Sequence, residues 1–309
     1  MPAIATEVRP AYRPYILQVA GVQRLSPHFA RVRLTGDDLE HFGTAGLDQR
    51  VKILFPDARG AFADVGQDEG AGDWYDRWRA LPDASRNPFR TYTVRRIDPV
   101  RRVLEIDFVV HEDPGPAGAW VGVATVGDPL IVVGPDERSP HSRAGLDWHP
   151  GTARRVLLAG DETAVPAISG ILEALPAGCT AEAFLEVPTA ADAQDLVVGA
   201  GTRVHWIARD GAEHGSGLLV ALRAWTGVSS DLLARASAPR PQALADVDVD
   251  AELLWDSPLD GEGEFYAWIA GEAAMVKTAR RLLVSECGVD RKRVAFMGYW
   301  RLGQSERTG

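Results

Sequence analysis

From Tyr15 to Val133 apolar and polar residues alternate with a period near two, in runs broken by Gly, Pro and Asp. The six runs are "YILQVAG" (15–21), "ARVRLTG" (30–36), "RVKILFP" (50–56), "RTYTVRR" (90–96), "RVLEIDFVV" (102–110) and "DPLIVVGP" (128–135). A strand sends successive side chains to opposite faces, so this period predicts six antiparallel strands in a sandwich or small barrel. Pro116 in "GPAGAWVGVATVGD" predicts a short helix, since the first helical position needs no N–H. Residues 57–88 are polar and rich in Gly and Asp, predicting a connecting loop with a helical turn at "WYDRW" (74–78).

Residues 136–153 carry Pro and Gly without periodicity and read as a linker between a first domain, 1–140, and a second, 150–309. Beyond it strands alternate with helices. The strands are "RRVLLAG" (154–160), "TAEAFLEV" (180–187), "TRVHWIAR" (202–209), "FYAWIAG" (265–271) and "RVAFMGYW" (293–300). The helices are "ETAVPAISGILEAL" (162–175), "GSGLLVALRAW" (215–225) and "EAAMVKTARRLLVSEC" (272–287), the last stopped by Gly288. Such alternation predicts a Rossmann-like parallel α/β sheet with crossover helices. An insertion at about 228–264 interrupts it. From 241 to 264 it holds Asp246, Asp248, Asp250, Glu252, Asp256, Asp260, Glu262 and Glu264 without Lys or Arg, and reads as a partly disordered acidic surface segment.

Composition narrows the functional classes. The 309 residues suit two domains, and 46% hydrophobic with 25% charged residues is ordinary for a soluble globular protein. A net charge of -10 argues against binding nucleic acid or an anionic membrane. Cys179 and Cys287 fit no CxxC or metal spacing, so reduced structural thiols and no metal site are expected. The start "MPAIATEVRP" has no apolar signal core, which makes the cytoplasm the expected compartment.

Three stretches carry candidate chemistry. In "RTYTVRR", Arg90 can fork onto a phosphate, Tyr92 on the same strand face can stack on a ring, and Thr93 can reach a ring nitrogen. Arg95 and Arg96 add cations beside this Tyr-Thr pair. The bland reading is a basic edge strand. In "FVVHEDPGPAGAW", His111 ends a strand and Gly115, Ala117 and Trp120 follow in a turn and helix. Small residues at a helix start admit an anion, although a plain Gly-Pro turn and an edge-strand histidine explain the same residues. In "LLAGDETAVPAI", Gly160, Asp161 and Thr163 occupy the strand–turn–helix position where open α/β sheets take ligands, with Thr163 as the expected N-cap. There is no GxGxxG, and Asp161 with Glu162 would repel a pyrophosphate.

Five motifs now stand in order: Arg-x-Tyr-Thr (90–93), Phe-Val-x-His with Gly-Pro-Ala-x-x-Trp (108–120), Ala-Gly-Asp-Glu-Thr-Ala-x-Pro-Ala-Ile (159–168), Trp-x-Ala-Gly-Glu (268–272) and Gly-Tyr-Trp-Arg-x-Gly (298–303). Together they resemble the siderophore-interacting protein family, the FAD-dependent ferric-siderophore reductases of the ferredoxin-reductase superfamily. The resemblance runs from about Pro14 to Glu306. It implies an N-terminal FAD-binding β-barrel and a nucleotide-binding α/β domain. It further implies that Arg90, Tyr92 and Thr93 hold FAD, with His111, Gly115, Ala117 and Trp120 shaping the pyrophosphate pocket. Gly160, Asp161, Thr163 and Glu272 would stand at the site for NADPH or NADH. Glu272 reads equally well as a first-turn acid favoured by the helix dipole.

The family also implies docking of an anionic ferric siderophore by basic residues, here Lys52 and Arg301. The bland reading of Lys52 is an ordinary exposed strand lysine. A third cation, in a Gly-Pro-Arg-Gly-Ser run, is replaced by "GPDERS" (134–139), which displaces it to Arg138 and brings in Asp136 and Glu137. The implied reaction moves electrons from NAD(P)H through flavin to Fe(III), releasing Fe(II), with no catalytic acid or base. A ferredoxin stands as an alternative electron donor, and a monomer is expected. The rivals are a flavin reductase of the same fold with another acceptor, and a non-catalytic siderophore-binding protein. For the nucleotide, Arg209 is the single cation offered to a 2′-phosphate.

Overall fold

The computed structural model describes residues 9–111, 115–244, 247–249, 252–259 and 261–304. Asp246, Asp250 and Asp260 of the acidic stretch, Glu112, Asp113 and Pro114 of the turn after His111, Glu306, and the first eight residues lie outside them. Contacts divide the chain into two compact units, the first running to Leu146 and the second starting at Asp147.

The first unit is an antiparallel barrel. Its strands are β1 (Tyr12–Ser26), β2 (Phe29–Thr35), β3 (Arg50–Leu54), β4 (Phe89–Thr93), β5 (Arg96–Asp98), β6 (Val103–Val109) and β7 (Pro129–Pro135), with helices α1 (Trp74–Ala80) and α2 (Pro116–Val121). The order is β4-β3-β7-β1-β2-β6-β5. The first half of β1 pairs with β7 and the second half with β2, and register shifts at Val19/Gly21 and Arg24/Ser26 bend it between them. Where the sequence predicts one strand at 90–96, the structure has two. Val94 is fully buried and gives its N–H to Gln49, and Arg95 then gives its N–H to Glu105 on β6 at 3.0 Å. The break carries the chain from one edge of the sheet to the other, and the Tyr92 and Phe108 rings meet across the closure at 4.4 Å.

The inward-facing set of the period-two runs, including Leu17, Val32, Ile53, Ile106 and Phe108, fills the barrel with no exposed surface. Residues 57–88, expected as a loop, form an outer layer instead. Trp74 and Trp78 of α1 pack on Phe89, with centroids at 5.7 and 4.9 Å. Buried Asn87 ties the segment down by donating to the Phe55 and Ala61 carbonyls and accepting from the Ala63 amide. Three large aromatic rings buried together outweigh the polar composition around them.

The second unit is an α/β sheet of β8 (Arg155–Gly160), β9 (Thr180–Val187), β10 (Thr202–Ala208), β11 (Trp255–Asp256), β12 (Phe265–Glu272) and β13 (Val294–Trp300), in the order β10-β9-β8-β12-β13-β11. All pairs are parallel except β11 with β13. The helices are α3 (Val165–Glu173), α4 (Ser216–Val228), α5 (Ser230–Arg235) and α6 (Ala273–Arg280), whose last turn widens over Arg281–Glu286 before Gly288 at φ 75°. Leu218, Leu222, Leu233, Met275 and Val276 of α4, α5 and α6 cover Leu157 and Ala159 of the sheet.

The insertion at 228–264 is corrected in two ways. Its start is the end of α4 and all of α5. Its acidic part supplies edge strand β11, and Leu244, Val247, Val249 and Leu254 pack on the core. Trp255 stacks on Tyr299 at 5.7 Å and donates to Asp147 at 3.1 Å. The acids find cations elsewhere in the chain: Asp256 faces Arg280 at 3.5 Å and Glu264 pairs with Arg235 at 2.5 Å. Charge counting within the segment hid both features.

Among the described residues, no helix is long and apolar enough to cross a membrane, and no cluster of His, Cys, Asp and Glu is arranged to hold a metal. Cys179 and Cys287 are free thiols.

Candidate functional site

On β4, alternation sends Phe89, Thr91 and Thr93 to one face and Arg90 with Tyr92 to the other. Arg90 is half-buried, and its guanidinium donates to the Phe89 carbonyl at 2.7 Å. It has no carboxylate partner among the described residues. Of the other cations of the run, Arg95 faces buried Asp107 at 3.7 Å, which Arg31 already grips at 2.6 Å, while Arg96 is exposed on the next strand, β5. The sequence reading of a shared cationic patch thus reduces to Arg90.

Tyr92 is half-exposed, its ring resting on Phe108, which in turn meets Trp120 at 5.8 Å. Ala117 and Trp120 are buried and belong to the barrel core, while Gly115 and His111 are exposed at the rim. A Cβ at Gly115 would meet nothing within 4 Å. A guanidinium free of acids, a half-exposed ring and an open glycine rim fit a flat, phosphorylated group such as FAD.

Lys52 sits opposite Thr91 on β3 and therefore on the other face from Arg90 and Tyr92. Its ammonium donates to the Thr91 hydroxyl and lies 5.2 Å from the Phe89 ring centroid, so it is a held cation and not a free surface lysine. Arg138 forks onto Asp136 at 2.9 and 2.6 Å, and buried Arg13 joins the same carboxylate at 3.0 Å. Burial raises the Asp136 pKa, but the Arg138 and Arg13 hydrogen bonds overcome it and hold the carboxyl at about 2. Arg138 is thereby neutralised at its own base. Glu137 accepts from the Thr44 amide at 2.7 Å.

In the second unit the candidate residues gather at the carboxyl ends of the parallel strands. A Cβ at Gly160 would lie 2.4 Å from Ala164 Cβ and 2.6 Å from the Ala270 carbonyl, so glycine permits the close approach of helix and strand here. Thr163 is not the N-cap. The helix starts at Val165 after Ala164, and Thr163 instead gives its amide and hydroxyl to Asp161 Oδ1 at 2.9 and 2.6 Å. Asp161 Oδ2 accepts from the Glu272 amide at 2.7 Å and the Trp300 indole at 2.8 Å. Burial, then the nearby charge of Glu162, pushes the Asp161 pKa up.

Glu162 is fully buried and clasped by Arg209 at 2.8 and 2.9 Å, with Glu186 3.5 Å from the same guanidinium. Glu272 is the N-cap of α6, accepting from the Ala274 and Met275 amides at 2.7 and 2.9 Å. The acids expected to repel a pyrophosphate are thus spent inside the protein, and so is Arg209. Arg301 donates to the Glu252 carbonyl and keeps one guanidinium nitrogen, Nη1, buried without a partner among the described residues.

Sequence reasoning passed over Trp300 and His214. Trp300 is half-exposed, and the His214 ring meets it edge-on at 4.8 Å and 81°. Trp300 was visible only as a letter within Gly-Tyr-Trp-Arg, and His214 carries no local signal.

Comparison with known proteins follows the same division. Residues 18–139 match the siderophore-interacting FAD-binding domain, and residues 153–303 match the siderophore-interacting protein family. An uncharacterized protein of Mycobacterium tuberculosis is 32% identical over 300 residues, spanning 96% of this chain and 93% of its own. Ferric vibriobactin reductase of Vibrio cholerae is 28% identical over 305 residues, 99% of this chain and 95% of its own. The NADPH-dependent ferric-chelate reductase of Escherichia coli is 28% identical over 303 residues, 97% of each chain. Among solved structures, a siderophore utilization protein from T. fusca superposes with a TM-score of 0.68 at 31% identity, covering 96% of both chains. The two matched regions together take in both units, with the fold of the ferredoxin reductases and an FAD-binding first unit, and the chain belongs to the siderophore-interacting protein family.

Proposed function

We propose that this protein is an FAD-dependent reductase of ferric siderophores, drawing electrons from a pyridine nucleotide and releasing iron as Fe(II). The observation that carries the reading is on β4: Arg90, half-buried and without an acid partner among the described residues, two residues from a half-exposed Tyr92. In a chain of net charge -10, an unneutralised guanidinium beside a presented ring marks a place for an anion with a flat ring. Arg90 would take a phosphate and Tyr92 the ring system, with Thr93, whose side chain is buried on the opposite face, offering its backbone alone, and His111 with Gly115 the pyrophosphate at the rim. FAD, when bound, supplies the conversion between two-electron and one-electron transfer.

The residues of the second unit fit a nucleotide because their acids are internally satisfied. NADPH is the donor named for the E. coli relative, and Arg209, already held by Glu162, is no reader of a 2′-phosphate. For the substrate, Lys52 and Arg301 are each taken separately as candidate docking cations, and Arg138 is not, being neutralised by Asp136.

The test is anaerobic and spectroscopic. The purified protein should be yellow. NADPH or NADH should bleach it saturably, and a ferric siderophore should restore the colour while a ferrous chelator traps Fe(II). A colourless protein that binds ferric siderophore would establish a carrier instead. Bleaching without reoxidation by any ferric complex would leave a flavin reductase with another acceptor, a reading that the loss of Arg138 as a free cation favours.

A further inference from the structure

Three motifs far apart in sequence, at Asp161–Thr163, Gly271–Glu272 and Trp300, converge on the carboxylate of Asp161. Only 1% of Asp161 is exposed, and its oxygens take four hydrogen bonds from three separate elements. The approach is built into the backbone: Gly271 sits at φ 144°, and a Cβ there would lie 2.6 Å from Asp161 Oδ2. The carboxylate holds the Thr163 turn ahead of α3 and the amide of Glu272, the N-cap of α6, as well as the Trp300 indole. Asp161 makes no capping bond to α3, and α6 is capped by Glu272 itself. Burying a carboxylate is costly, so an arrangement that spends one without capping a helix calls for another role. Its one bond to a side chain at the sheet edge fixes the half-exposed indole of Trp300, braced on another side by the edge-on His214 ring. Trp300 ends β13 at the carboxyl edge of the parallel sheet, the edge at which open α/β sheets bind ligands.

We propose that Asp161 is a positioning residue which locks the Trp300 indole in one orientation, and that Trp300 is the ring against which the flat ring of a pyridine nucleotide packs. This rests on the reading of the second unit as nucleotide-binding. An indole already fixed loses no rotational freedom when the ligand arrives, whereas a free one must be ordered at the ligand's expense. The neighbouring charges, Glu162, Arg209, Glu186 and Glu272, are each engaged with protein groups, so the uncharged face of the indole is the part left to meet a ligand.

The experiment titrates NADP+ and, separately, NAD+ into the FAD-loaded full chain by calorimetry, which reads affinity without turnover. The variants are Asp161→Asn, Trp300→Phe, Trp300→Ala and the double Asp161→Asn, Trp300→Phe. Asparagine keeps the shape but turns an NH2 toward one pair of donors, and phenylalanine removes the indole N–H from the other end of the same bond. Each single change should weaken binding by about three- to tenfold, the range set by ordering one side chain. The double variant should be no weaker than either single one, and Trp300→Ala should be weakest.

Effects that multiply in the double variant would show Asp161 acting elsewhere and overturn the proposal. Wild-type affinity in Trp300→Phe and Trp300→Ala would overturn it while leaving the nucleotide reading intact, and this comparison decides the matter even if Asp161→Asn does not fold. A wild-type protein that binds neither nucleotide would overturn the nucleotide reading and this proposal together.

Discussion

Asp136→Asn probes how the barrel handles its buried charge. Asp136 is 1% exposed and joins Arg13, on β1, to Arg138, beyond β7. Its carboxyl titrates at about 2 against an ordinary 3.8, nearly two units lower. At ~1.36 kcal/mol per unit, that is on the order of 2–3 kcal/mol of folded-state stability at neutral pH. Asparagine also leaves the Arg13 guanidinium, which stays in the interior, with Asp38 alone as a counter-charge among the described residues. Arg138 is one-third exposed and can turn to water. The total loss at pH 7 should be about 3–4 kcal/mol, near the lower end for breaking a buried pair.

The pH dependence has a definite sign. A depressed carboxyl contributes its stability above the unfolded pKa and loses it as pH falls toward the folded value. The gap in urea midpoint between wild type and Asp136→Asn should therefore be widest above pH 5 and narrow steadily between about pH 4 and pH 2. A gap that stays constant across that range would refute the argument, since it would mean that the variant loses shape and not charge.

Arg90→Ala should release FAD on gel filtration, with affinity weaker by about 1.5–3 kcal/mol for one charge-assisted fork; full flavin absorbance after the column would remove Arg90 from the site. Lys52→Ala should raise the KM for an anionic ferric siderophore at low salt and leave flavin bleaching untouched, and an unchanged KM would send the docking cation elsewhere. Arg138→Ala should leave that KM unchanged, because Asp136 already cancels its charge; a several-fold rise would restore it to the docking set. Gly160→Ala should lower the thermal stability of the second unit by about 1–3 kcal/mol through overpacking against Ala164, with FAD content preserved.

The parts of this molecule legible from sequence are those governed by local periodicity. Alternation marked the barrel strands, and the strand–helix alternation marked β8, β9, β10, β12 and β13, because burial of one face imposes its period directly on neighbouring residues. What escaped depends on partners distant in the chain. Nothing within 90–96 says that Arg95 will be claimed by Asp107, which leaves Arg90 alone. Nothing within "AGDETAVPAI" says that Asp161 will face inward toward an indole 139 residues later. The run "GPDERS" did reveal an intruding acid at Asp136, but its effect on Arg138 needed the geometry. β11 was missed for another reason: two residues are too few to show a period, and the acids around them set the average.

The break between β4 and β5 is the seam of the barrel. β4 lies at the end of the strand order with backbone pairing from β3 alone, and the chain beyond it is stitched to β6 by the Arg95 amide. The strand bearing Arg90, Tyr92 and Thr93 is thus also the strand that parts first when the barrel breathes. Amide hydrogens of β4 should exchange with solvent deuterium through local opening, well ahead of those on β2, which is paired with β1 on one side and β6 on the other. A flavin gripping β4 would close that seam from outside, so cofactor loading and barrel integrity should rise and fall as one property.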